Sequence, residues 1–147
     1  MLHRLAFLLI AAMLSACAAS GAVDRDRDGN SDFEPCGTAP RCVVSLDDAG
    51  SRRIEPLMYT TSPLLARLHL MQLLVDRDDV EVVTAVDDYI HAVFVTPRLR
   101  YRDDVEFLIR NDGRVDVRSS SRIGWYDWGT NRNRIESLRT QLAATSP

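Results

Sequence analysis

The apolar residues change period twice between Ser62 and Leu142, which divides this stretch into a helix, a run of strands and a second helix. Leu64, Leu68, Met71 and Val75 recur at near-helical spacing after Ser62, a suitable N-cap, and Pro63, which suits the first helical position. These four are expected to form the packed stripe, with His69, Gln72 and Asp76 on the polar side and His69 a partly exposed surface residue rather than a ligand. From Val80 the period becomes that of strands: EVVTAV, YIHAVFV closed by Pro97, DDVEFLI and VDVRSSSR. Short links between such segments imply antiparallel pairing. Helical spacing returns from Asn131 with Ile135, Leu138 and Leu142. The expected fold is therefore α+β: an antiparallel sheet of about four strands, flanked by an N-terminal and a C-terminal helix on one face.

Asn111-Asp112-Gly113 lets the hairpin register be predicted. With Gly113 left-handed in a three-residue loop, Ile109 pairs with Val115, Phe107 with Val117 and Val105 with Ser119, so that apolar meets apolar. A two-residue loop would put a charge on the buried face. On the other face the same register sets Glu106 across from Arg118, with Asp104 diagonal to Arg118 and Arg122.

The first 16 residues lie outside this pattern. A basic start, His3 and Arg4, precedes the apolar run LAFLLIAAML, too short to span a bilayer, and then Leu14-Ser15-Ala16-Cys17. This looks like the lipobox of a bacterial lipoprotein, with Cys17 acylated and two or three chains anchoring it firmly. Ala18 after the cysteine favours the outer membrane, with the domain facing the periplasm. Four segments are expected: residues 1–16 as signal peptide, 17–35 as an acidic tether, 36–142 as a single α+β domain, and 143–147 as a disordered tail.

The tether places Asp24, Asp26, Asp28, Asn30 and Asp32 at the first, third, fifth, seventh and ninth places of a calcium loop, with Gly29 at the sixth to permit the turn. Its twelfth place is Pro35 rather than a bidentate Glu, and no helix flanks it. Calcium is the one cofactor considered, and a solvated charged spacer is the competing reading. Cys36 and Cys42, in PCGTAPRCV, are expected to bond in an oxidising compartment, stiffening the start of the domain by about 2 to 3 kcal/mol. Their spacing is neither that of a CxxC redox site nor that of a zinc site.

Composition narrows function mainly by exclusion. All 18 basic residues are Arg, and the net charge is −3, falling to −4 once residues 1–16 are removed, so nucleic acid is not an expected partner. The segment RSSSRIGWYDWGTNRNR concentrates Arg118, Ser119, Ser121, Arg122, Asp127, Asn131 and Arg134 around the start of the last helix. Guanidinium groups beside free helix N–H groups would suit a phosphate, a carboxylate or a lipid headgroup. The competing reading is a structural ion network in which Asp104, Glu106 and Asp127 satisfy those arginines, with Trp125 and Trp128 as core or rim aromatics. No nucleophile sits in a recognisable catalytic context, and a Ser119, His91, Asp127 arrangement has only composition in its favour.

PCGTAPRCVVS, DYIHAVF, DDVEF and VRSSSRIGWYDWGTNRNRIESLR together resemble the domain of unknown function 1499 family of bacterial envelope and related plastid proteins, over about residues 35 to 142. Gly37 stands where the family usually has Pro, Arg41 where it has Asn, and Trp125 and Tyr126 where it has Tyr and Ser. The resemblance implies a small envelope domain without an established activity. The expected function is a non-catalytic binding or structural module presenting an Arg-rich anion-binding surface. Its expected partners are the membrane through its anchor and an anionic small molecule, a headgroup or an envelope protein. The alternative is a small hydrolase or transferase acting on an anionic envelope substrate.

Overall fold

Six strands form one antiparallel sheet in the computed structural model, which describes residues 24–25, 31–46 and 49–144. A separate two-stranded pair comes first, β1 (Asp24–Arg25) and β2 (Ser31–Asp32). The sheet comprises β3 (Cys42–Val44), β4 (Leu57–Met58), β5 (Val80–Val86), β6 (Tyr89–Val95), β7 (Arg102–Ile109) and β8 (Arg114–Ser121). Its order is β3-β8-β7-β6-β5, with β4 also pairing with β8. The helices are α1 (Pro63–Val75) and α2 (Thr130–Ala144).

The four expected strands are all present, and two more join them on the far side of β8. β3 and β4 are too short, at three and two residues, to carry a readable period. The hairpin register agrees pair for pair: Ile109 with Val115, Phe107 with Val117 and Val105 with Ser119. Gly113 has φ of 88°, and a Cβ there would lie 3.1 Å from the Tyr59 carbonyl, so the turn requires glycine twice over. The register of β5 against β6 slips between Val82 and Thr84, leaving Val83 as a bulge.

Alternation divides the sheet chemically. Ile90, Ala92, Phe94, Val105, Phe107, Ile109, Val115 and Val117 share one core with both helices. Ser62 caps α1 by accepting from the Leu65 N–H, as expected. The buried side of α1 is nevertheless Ala66, Leu70 and Leu74, while Leu64, Leu68 and Val75 face solvent. PLLARLHLMQLLV is apolar on nearly every side, so packing rather than periodicity chooses, and small Ala66 helps the backbone approach the sheet. In α2 the expected Ile135, Leu138 and Leu142 are the buried set.

Two boundaries differ from expectation. Phe33 is buried against Val44, Tyr89 and Leu108 on the face away from the helices, so the fold begins before Cys36. α2 continues through Ala144, two residues into the expected tail. The Cys36–Cys42 disulfide is formed, with Cα atoms 5.7 Å apart. The signal peptide, Cys17 and the calcium-loop positions Asp26, Asp28, Gly29 and Asn30 lie outside the described residues. Asp24 and Asp32 are backbone partners across β1 and β2. Among the described residues no helix is long and apolar enough to cross a membrane, and no cluster of His, Cys, Asp and Glu is arranged to hold a metal.

Candidate functional site

The face of the sheet away from the helices carries a buried polar group centred on Glu106. Glu106, almost fully buried, accepts from Tyr89 Oη at 2.9 Å and from Arg118 Nη1 at 2.9 Å. Alongside, Asp104 receives both Nε and Nη2 of Arg122 at 2.8 Å and meets His91 Nε2 at 2.8 Å. Burial and the adjoining Glu106 carboxylate push the Tyr89 hydroxyl above the ordinary phenol range, so it stays a donor.

Burial acts to raise the Asp104 carboxyl, but the hydrogen bonds and charges of Arg122 and His91 outweigh it and hold the group well below the usual carboxylate range. Because the folded value lies below the unfolded one, the stabilisation is complete above the unfolded pKa of about 3.9 and is lost as pH falls through the folded value. Asp104→Asn is therefore expected to cost about 1 to 2 kcal/mol at pH 7, Arg122 being partly exposed, and less as the medium becomes more acid. Urea unfolding between neutral and acid pH checks this: the two stability curves should converge at the acid end.

The helix side carries a second group, centred on Asn131, which is fully buried. Its side-chain nitrogen donates to the Arg41 carbonyl at 2.9 Å, Ser121 Oγ at 2.9 Å and Asp127 Oδ2 at 2.8 Å. Its oxygen accepts from Ser119 Oγ at 2.6 Å and Arg134 Nη1 at 2.7 Å. Arg134 reaches on to Asp103 Oδ2 at 2.5 Å and lies over the Phe94 ring, 4.8 Å from its centroid.

The residues expected to converge are thus split by the sheet. Asp104, Glu106, Arg118 and Arg122 lie on one face, and Ser119, Ser121, Asp127, Asn131 and Arg134 on the other. Arg118, Arg122 and Arg134 each have an acidic partner, and Asp104 pairs with Arg122 rather than with Arg118. The start of α2, expected to offer free N–H groups, is closed by Asp127, which accepts from Asn131 N at 2.9 Å and Gly129 N at 3.1 Å. Ser119 and His91 are on opposite faces, so a Ser119, His91, Asp127 arrangement does not assemble. Asp103, the acid that holds Arg134, was missed; its alternation with Val105, Phe107 and Ile109 was the signal that it pointed inward.

One open cleft of about 180 Å³ lies where the disulfide loop, the turn before α2 and the 3₁₀ turn at Gly50–Arg52 meet. Pro40, Cys42 and Val43 line it from the side of the disulfide loop, Ser51 and Arg52 from the 3₁₀ turn, and Tyr126, Asp127 and Gly129 from the turn before α2, with Arg132 from α2. Arg52 donates to the Thr38 carbonyl at 2.6 Å, and Arg132 to the carbonyls of Ser51 and Arg53 at 3.2 and 2.9 Å. Carbonyls orient these guanidinium groups without neutralising them, and among the described residues no carboxylate pairs with either. Sequence reasoning passed over Arg52, because nothing in the segment GSRR connects it to the last helix. Trp125 and Trp128, expected in the core or at its rim, are instead 70% and 81% exposed just beyond the cleft.

These features define a small, disulfide-braced α+β domain with paired arginines on both faces of its sheet and two unneutralised ones at a single cleft. The chain belongs to the family described as Protein of unknown function (DUF1499), whose family model matches residues 32–142. No curated protein and no solved structure matches it.

Proposed function

We propose that this domain is a non-catalytic binding module of the bacterial envelope, anchored through acylated Cys17 at the outer membrane and facing the periplasm. Its ligand carries a phosphate or carboxylate group, received at the cleft between Arg52 and Arg132. The observation behind this reading is that these two arginines line an open cleft without an acidic partner among the described residues, whereas Arg118, Arg122 and Arg134 are occupied. Arginine's fixed fork of donors suits either anion.

Thermal unfolding of the protein in increasing inorganic phosphate, beside the double variant Arg52→Gln/Arg132→Gln, tests it. Phosphate stabilises most proteins by exclusion, so the variant should keep a shallow, unsaturating rise. The wild type should add a saturable rise, worth about 2.7 kcal/mol at a hundredfold excess over Kd. Superimposable curves would remove the cleft as the anion site.

A further inference from the structure

The turn between β8 and α2 exposes four large apolar side chains within six residues. Ile123, Trp125, Tyr126 and Trp128 are 55%, 70%, 52% and 81% exposed. Such a concentration on a surface loop marks an interaction site. The turn holds its aromatic groups outward by construction: Gly124, Trp128 and Gly129 all have φ between 54° and 89°. A left-handed backbone is costly for a bulky residue such as Trp128, and here no burial of the indole offsets it.

We propose that this turn docks into the interfacial layer of a lipid bilayer, with Trp125, Tyr126 and Trp128 at headgroup depth and Ile123 beside the first methylenes. The only charged residue from Ile123 to Thr130 is Asp127, and its carboxylate is directed back onto the start of α2. Arg132, at the start of α2, brings a cation without a described acidic partner close to the tip in sequence. Tryptophan and tyrosine favour this layer because their rings are apolar and their N–H and O–H groups stay wet.

The route of the chain is consistent with this occupant. The Arg41 carbonyl in the disulfide loop accepts from Ser121 N at 3.1 Å and from Asn131, so the disulfide loop lies beside the base of the turn. Sixteen residues run from Cys17 to Asp32. Asp24 pairs with Asp32 across β1 and β2, so the reach of this stretch is set by the eight residues from Cys17 to Asp24, at most about 28 Å. The anchor rests on the reading above; the affinity of the tip for lipid does not. A glycan fits less well, since the Tyr126 and Trp128 rings meet edge to face at 67° and present no common platform, and Ile123 offers a sugar nothing.

The chain's only two tryptophans are both in this turn, so its intrinsic fluorescence reports on the tip alone. The full chain is bound to phosphatidylcholine vesicles whose acyl chains are brominated near the headgroup, and compared with the chain on unbrominated vesicles. A docked tip gives blue-shifted emission that loses about half its intensity to bromine, as expected for indoles at interfacial depth. Ile123→Ser/Tyr126→Ser keeps both reporters and should lose most of that quenching while retaining the far-ultraviolet circular dichroism of the wild type. Arg52→Gln should leave the quenching unchanged, which separates the tip from the cleft. The proposal is overturned if vesicle-bound chain keeps the emission of indole in water, if the double serine variant quenches as fully as wild type, or if soluble glycan fragments rather than vesicles shift the spectrum.

Discussion

Glu106→Leu is expected to destabilise the domain by about 3 to 5 kcal/mol, and adding Arg118→Met should restore most of the loss. Glu106 and Arg118 are 1% and 9% exposed, so deleting the acid strands a guanidinium under the N-terminal segment. The nearest other described carboxylate, Glu34, lies 4.0 Å away and is itself exposed. Glu34 therefore makes a poor substitute partner. Tyr89 loses its hydrogen bond to Glu106 at the same time, which adds to the cost. With both charges replaced by apolar groups of similar length, the desolvation penalty disappears together with the attraction. Urea unfolding of the two single variants and the double decides the matter: a double that equals the sum of the singles would mean that the two residues are not coupled.

Asn131→Leu should cost about 3 to 4 kcal/mol, for a different reason. The size of the side chain is nearly kept, but five polar atoms lose their common partner: the Arg41 carbonyl, the hydroxyls of Ser119 and Ser121, the Asp127 carboxylate and one Arg134 nitrogen. These belong to the disulfide loop, β8, the turn and α2, so the loss should appear as faster hydrogen exchange in the first turn of α2 as well as a lower urea midpoint. Arg134 retains Asp103 and should keep the rest of α2 on the sheet. An unchanged midpoint would show that solvent replaces Asn131 at no cost.

How far the chain could be read depended on how sharply each segment constrains its alternatives. Asn111-Asp112-Gly113 between two alternating strands allows one register that keeps charges out of the core, and from it the pairing of Glu106 with Arg118 followed directly. α1 offers no such choice, because Leu64, Leu68 and Val75 are as apolar as Leu70 and Leu74 and only tertiary packing separates them. Asp103 and Asp104 are neighbours in sequence and lie on opposite faces; a carboxylate on the core face becomes intelligible only once Arg134 arrives from α2. The cleft was illegible for the same reason. Arg52 and Arg132 are far apart along the chain, and two short strands with no period of their own bring their segments together.

The extra residue at Val83 bears on how neighbouring copies coexist at high density. β5 is the outer strand of its side of the sheet, and VEVVTAV, rich in β-branched residues, is the sort of template on which a second molecule's strand adds and fibrils begin. The slip limits any regular ladder to three residues on either side, and Glu81 places a carboxylate along the same rim. Many such domains at high concentration can therefore stay separate molecules instead of growing into a ribbon.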